Sequence, residues 1–178
     1  MKKIILLLAN GFGLGNSPHC SGTIGALAGI PFAIALTSLY DHPWVQVFLS
    51  YVLFMLAFPI CDYAEKHYQT KDDGRIVADE WMLLPICFIA QEPIWRELTE
   101  GDWLTAVAFT GMAFVVSRIA DILKPFPAFQ LQSMKGGIGI VLDDFFANLY
   151  AWCAIFFLNR FLLHPVLIPF ARRLFGME

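Results

Sequence analysis

The sequence predicts an all-α fold, a multi-pass membrane helical bundle with about four to five apolar helices and active-site loops on the cytoplasmic face. Three observations predict it. Of the 178 residues, 58% are hydrophobic and 15% are charged, with a mean hydropathy of +0.62, whereas a soluble domain is about one quarter charged. Apolar stretches approaching the roughly 20 residues that a membrane helix needs recur along the chain. Basic residues collect in alternate connections between those stretches, the asymmetry that orients a protein in a bilayer. The length accommodates a single domain over residues 1–178 and leaves no room for a second.

The elements follow in order. Met1-Lys2-Lys3 and the run Ile4 to Ala9 imitate a secretory signal. That run is short and continues into Asn10-Gly11-Phe12-Gly13 rather than a small-residue cleavage site, so it is expected to be retained. Residues 24–40 are expected to form a slightly short span and residues 43–61 a second. The turn Asp41-His42-Pro43 between them is short enough only for a helical hairpin. Residues 81–90, directly behind Asp79-Glu80, form a shorter apolar stretch that penetrates partly. Residues 103–117 and 145–163 supply the fourth and fifth candidates, the last with Arg160 near its end, where its side chain can snorkel.

With the N-terminus inside, segments 1–23, 62–80 and 118–144 face the cytoplasm. They carry Lys2, Lys3, Lys66, Lys71, Arg75, Arg118, Lys124 and Lys135, eight of the twelve basic residues, while the opposite loops carry Arg96. Arg160, Arg172 and Arg173 leave the C-terminal topology open. A net charge of -3 with no basic stripe excludes nucleic acid as a partner. Cys20, Cys61, Cys87 and Cys153 are widely spaced without a CxxC pair, which argues against zinc or a disulfide framework and predicts buried small hydrophobes.

Four polar motifs fall in the inside segments. The first runs from Gly11-Phe12-Gly13-Leu14-Gly15-Asn16-Ser17-Pro18 to Ser21-Gly22-Thr23-Ile24-Gly25. Its glycines would let backbone amides approach an anion, and Ser21 or Thr23 would cap a helix starting near residue 24, whose N-terminus attracts phosphate. A re-entrant turn with an ordinary cap explains the same residues, since no Walker lysine follows. The second is Asp72-Asp73-Gly74-Arg75-Ile76-Val77-Ala78-Asp79-Glu80. Carboxylates ahead of an apolar helix are costly at membrane depth unless paired or bound to a cation, although a helix N-terminus also favours them.

The third is Arg118-Ile119-Ala120-Asp121-Ile122-Leu123-Lys124-Pro125-Phe126-Pro127. Spacing of three puts Arg118, Asp121 and Lys124 near one helical face, and Pro125 should end the helix at Lys124. The fourth, Lys135-Gly136-Gly137-Ile138-Gly139-Ile140-Val141-Leu142-Asp143-Asp144, is a glycine-rich approach to paired carboxylates at the mouth of an apolar helix. Asp79, Glu80, Asp143 and Asp144 together could share a divalent cation, and Mg²⁺ takes carboxylate oxygens plus substrate phosphate. Arg118 and Lys124 would neutralise phosphate oxygens. The combination points to phosphoryl chemistry on a lipid headgroup.

In these motifs the sequence resembles the phosphatidylglycerophosphatase A family. The resemblance rests on Gly11 to Gly25, on Asp72 with Ile76-Val77 and Asp79-Glu80, on Asp121 to Pro127, and on Gly136 to Ile140 with Asp143-Asp144, in order across residues 11–148. It implies a Mg²⁺-dependent lipid phosphatase of the bacterial cytoplasmic (inner) membrane that converts phosphatidylglycerophosphate to phosphatidylglycerol. Asp121, Lys124, Asp79 and Asp143 are the expected catalytic residues. Asp79, Glu80, Asp143 and Asp144 are the expected metal ligands, and Gly22, Thr23, Arg118 and Lys124 the expected phosphate contacts. Asp72, Gly136 and Gly137 complete the motifs. The chain departs from the family at Ser21, where proline is usual, at Asn148, where glycine is usual, and in the neutral Gln130, Gln132 and Ser133.

Two rivals are weighed against this reading. A phosphatidyltransferase acting on CDP-activated alcohols needs Asp-Gly-x-x-Ala-Arg, whereas Asp73-Gly74 continues as Arg75-Ile76-Val77-Ala78. A small cation transporter or channel would place its carboxylates mid-span. For the phosphatase, attack by metal-activated water with Asp121 as base or ligand is preferred to an acyl phosphate on Asp121. His19 and Cys20 beside the glycine loop are taken as incidental.

Overall fold

The computed structural model describes residues 2–70, 73–134 and 136–176, and these are all-helical, with no strand among them. Helix α1 (Lys2–Ala9) leads through a 3-10 segment, Gly11–Asn16, into α2 (Ser21–Ala26) and α3 (Gly29–Thr37). The long α4 (Pro43–Tyr68) starts with proline at its first position, where a missing N–H costs nothing. Next come α5 (Ala78–Leu83), a 3-10 continuation Leu84–Phe88, and α6 (Ile94–Glu100). Helix α7 (Trp103–Leu123) is capped by Asp102, which accepts from the Thr105 N–H. It stops where Lys124 adopts a left-handed backbone, φ 41°, ahead of Pro125. The one-turn α8 (Ala128–Leu131) is followed by α9 (Gly137–Leu158), a π-helical stretch Asn159–Leu167, and α10 (Ile168–Leu174).

Three of these are long and apolar enough to cross a membrane: α4, α7, and the continuous rod Gly137–Leu174. The expected spans at 43–61, 103–117 and 145–163 therefore exist and are longer than their apolar runs. The other two stretches are shorter. Residues 24–37 lie in α2 and α3, which together make one apolar helix, Ser21–Thr37, too short to cross, and residues 81–88 lie in α5 and its 3-10 continuation. Among the described residues the count of long apolar helices is accordingly three, with one short insert before α4 and another between α4 and α7.

The hairpin turn before α4 is present, with the His42 N–H on the Leu39 carbonyl and the Gln46 side chain on the Leu36 carbonyl. Helix α3 nevertheless finds its main partner in Leu84–Phe88. The two short inserts thus cover each other, because neither is long enough to form a complete span alone.

Two apolar cores result. One joins Ala57, Cys61 and Ala64 of α4 to Val77, Trp81, Leu83 and Val141. The other joins Ala33, Phe88, Ile94, Phe109, Ala113, Ala151 and Ile155. Small residues on α4, α7 and α9 at these contacts let the helix backbones approach closely. Cys61 and Cys87 are buried as expected, but Cys20 and Cys153 are exposed. Residue type alone does not say which helix face a small apolar side chain occupies.

Outward faces are apolar too, with Phe48 and Leu56 on α4, Val115 and Ile119 on α7, and Phe156, Phe157 and Phe161 at the far end of the Gly137–Leu174 rod. Trp44, Trp95 and Trp103 are exposed near the starts of α4, α6 and α7, the position of an aromatic belt at one membrane interface. Ion pairs Arg96–Asp41 and Arg172–Asp102 mark the same end. The four polar motifs converge at the other.

Candidate active site

The first motif is a platform for the second. Asn10 donates to the Asn16 side chain across the glycine turn at 2.9 Å. The Val77 N–H and the Trp81 indole N–H donate to the Ala9 and Leu8 carbonyls, so residues 76–81 are pinned beside the end of α1. Gly22 faces Glu80 so closely that any added Cβ would overlap the carboxylate. Its glycine is therefore explained by room for an acidic side chain. The expected cap is not made: α2 begins at Ser21, its N-cap is Cys20 in a left-handed conformation, and neither Ser21 nor Thr23 caps it. Thr23 is exposed.

Asp79 and Glu80 occupy the first turn of α5, and Asp79 is buried. Arg118, in the last two turns of α7, reaches across to them. Its Nη1 donates to Glu80 Oε2 at 2.8 Å and to Asp121 Oδ2 at 3.3 Å. The i, i+3 spacing read from the sequence is thus realised, and a residue 38 positions away joins it. Lys124 turns away from that ladder and binds Asp143 Oδ2 of α9 at 2.5 Å. Burial opposes the ammonium charge, but the hydrogen bond and charge of Asp143, with Asp144 and Asp121, outweigh it and raise the Lys124 pKa.

Asp143 and Asp144 lie six and seven residues after Gly137 rather than at the helix mouth, about 9 and 10 Å along the axis. The glycine-rich approach is itself helical from Gly137 onward. Gly136 takes a positive φ of 75°, and a Cβ on Gly137 would stand 2.6 Å from both the Asp62 nitrogen and the Phe58 carbonyl of α4. These two glycines set the contact between α9 and α4. Asp72 lies outside the described residues.

Asp79, Glu80, Asp121, Asp143 and Asp144 thus gather around two cations, Arg118 and Lys124, and the other four carboxylates all act electrostatically on Asp144. Among the described residues, no three or more His, Cys, Asp or Glu side chains are placed to hold a metal ion by themselves. The surroundings still fit a hard cation. Negative charge is in excess, Asp144 Oδ2 is buried with no hydrogen-bond partner, and Mg²⁺ is usually held by one or two carboxylates together with water and substrate phosphate.

One supporting residue was not singled out for the site from the sequence. Asn148, noted there only as a departure, donates to the Asp144 carbonyl at 2.9 Å and accepts from Cys87 at 3.1 Å. Its spacing of four from Asp144 was the available signal. Arg75 forms a two-point pair with Asp73 and lies 3.9 Å over the Tyr68 ring. That pairing holds Asp73 below the usual carboxylate range.

Comparison with known proteins places the chain in a family. The family model for phosphatidylglycerophosphatase A matches residues 7–159. Phosphatidylglycerophosphatase A of Escherichia coli is 34% identical over 156 residues, covering 86% of this chain and 83% of the relative. The Haemophilus influenzae protein of the same name is 33% identical over 171 residues, 92% of this chain and 96% of the relative. A Bacteroides thetaiotaomicron relative, provisionally named a phosphatidylinositol-3-phosphatase, is 30% identical over 155 residues, 84% of this chain and 90% of its own length. No solved structure matches the chain. With the matched region running from the end of α1 to the start of the π-helical stretch and spanning every residue of the carboxylate cluster, the chain belongs to the phosphatidylglycerophosphatase A family.

Proposed function

We propose that the protein hydrolyses phosphatidylglycerophosphate to phosphatidylglycerol and phosphate at the cytoplasmic face of a bacterial inner membrane, with Mg²⁺ as cofactor. The observation that carries this reading is the convergence of five carboxylates, Arg118 and Lys124 on one end of a membrane helical bundle, in a chain whose relatives are named for that activity.

Asp79, Glu80, Asp143 and Asp144 would hold the cation, and Arg118 and Lys124 would take the phosphate oxygens of the substrate. Bound Mg²⁺ supplies positive charge to the phosphoryl oxygens and acidifies water. Asp121 accepts the proton of the attacking water as its oxygen bonds to phosphorus. The bond from phosphorus to the glycerol oxygen breaks, that oxygen takes a proton from solvent water as phosphatidylglycerol leaves, and Asp121 returns its proton to solvent. Arg118 and Lys124 stabilise charge on the phosphoryl oxygens, a contribution of about 100-fold or more per well-placed donor. Asp121 keeps its place through Arg118, which also orients Glu80.

The test is phosphate release from phosphatidylglycerophosphate in mixed micelles, with Mg²⁺ and after EDTA. Release that stops with EDTA and returns with Mg²⁺ is expected, and undiminished release by metal-stripped enzyme removes the cofactor from the mechanism. Phosphatidylinositol 3-phosphate in a parallel assay decides between the two headgroups for which the relatives are named; preference for it would replace the substrate and leave the site assignment standing.

A further inference from the structure

The chain does not leave the bundle after α7. Lys124 turns back, the Phe126 carbonyl accepts the Tyr150 hydroxyl at 2.8 Å, and the Leu131 and Met134 carbonyls lie against Gly139. Residues 124–134 therefore run alongside the first half of α9, from the level of Tyr150 to that of Gly139. Ala128 is fully buried on the inner side of this segment. Its outer side carries Phe126 and Phe129, which are 72% and 70% exposed, and continues the exposed Ile122 and Leu123 at the end of α7. The same segment sends the Lys124 ammonium inward to Asp143.

An apolar strip beside a half-buried ammonium group has the chemistry of one diacyl lipid with an anionic headgroup. The phosphomonoester matches Lys124 and Arg118 in charge, and acyl chains match the strip in polarity. A water-soluble phosphate ester would gain nothing from two exposed phenyl rings next to the site.

Resting on the phosphatase reading above, we propose that Phe126 and Phe129, with Ile122 and Leu123, form the surface on which the substrate's acyl chains lie, so that lipid reaches Lys124 sideways from the bilayer. The residues act in substrate binding and have no part in the chemical step.

The experiment compares full-length wild type, F126A/F129A, F126L/F129L and F157A/F161A in mixed micelles of dioleoyl phosphatidylglycerophosphate. Kinetics are accompanied by melting temperature and elution volume. The alanine pair at the strip is expected to raise the surface-concentration KM about tenfold with kcat within about twofold of wild type, the signature of lost uniform binding. The leucine pair should restore KM, and the pair at the far end of the rod should leave it unchanged. An unchanged KM, an equal rise in both alanine variants, or a fall in kcat alone overturns the proposal. A shift in elution volume confined to the strip variants would make the strip a contact between copies of the chain, and also overturns it. Failure of wild type to release phosphate would instead refute the underlying phosphatase reading.

Discussion

Arg118 is the residue on which the cluster depends, because one buried guanidinium answers both Glu80 and Asp121. Replacing it by alanine leaves two carboxylates facing Asp144 and Asp79 with no cation between them. Breaking a buried pair in this way costs about 3–5 kcal/mol. Arg118→Ala is therefore expected to lower the melting temperature and to reduce phosphate release more than about 100-fold. Arg118→Lys should recover stability better than activity, since a single ammonium replaces a planar fork with five donors. A lysine variant as active as wild type would show that only charge is needed at this position. Lys124 differs in position, since it stands past the end of α7, and it answers a single carboxylate, Asp143 of α9.

At the scale of elements, close helix contacts are sharply sensitive. A Cβ on Gly137 meets backbone atoms of Phe58 and Asp62, which cannot rotate aside as a flexible side-chain tip can. Gly137→Ala is expected to destabilise the protein by about 1–3 kcal/mol through overpacking, read as a lower denaturation midpoint. Gly111, whose Cβ would meet nothing, should tolerate alanine. The end opposite the site has its own clasp. Glu92 binds Asn159 and His164 of the π-helical stretch, and Glu97 of α6 shares a hydrogen bond with Glu92. Burial, reinforced by Glu92 and Asp102, pushes the Glu97 pKa up from 4.5 to about 9. The folded protein therefore holds this proton more tightly than the unfolded chain. The contribution of Glu97 to stability is complete below about pH 4.5 and is lost as pH rises toward and through about 9. Thermal melts from pH 5 to 9.5 should fall more steeply for wild type than for Glu97→Gln, and parallel curves would show that Glu97 is ionised throughout.

At the scale of the whole molecule, three long helices and two short inserts put the candidate site at one end and Trp44, Trp95 and Trp103 at the other. Basic residues in the connections near the site predict that this end is cytoplasmic. In a cysteine-free variant, an impermeant maleimide added outside the cell should label cysteine at Glu100 and leave cysteine at Thr70 unlabelled until the membrane is opened. Labelling of Thr70→Cys from outside would reverse the orientation of the whole bundle. The exposed apolar faces of α4, α7 and the Gly137–Leu174 rod also predict that the protein stays folded in detergent or bilayer and aggregates when both are removed.

The class of the protein and the polar residues that gather in the candidate site were legible in the sequence because both are local. Hydropathy over about 20 residues identifies membrane helices, and Asp79-Glu80, Arg118-Asp121-Lys124 and Asp143-Asp144 stand out as charges that an apolar chain would not otherwise keep. The end of α7 was equally local, since Pro125 cannot continue a helix. Which helix accepts which partner was decided only by the tertiary structure. Gly22 read as part of a phosphate loop and Gly137 as part of a glycine-rich approach to the paired carboxylates until the packing put Glu80 against one and the α4 backbone against the other. The stretch 24–40 read as a slightly short span and 81–90 as a partly penetrating one, and only the packing showed that they cover each other. Lys124 read as the third member of a helical ladder, but the left-handed turn at the end of α7 turned it toward Asp143, nineteen residues away. Local sequence specifies propensity and polarity, whereas the pairing of buried charges minimises energy over the whole bundle, so the partner of each cation emerges only when all the helices are in place.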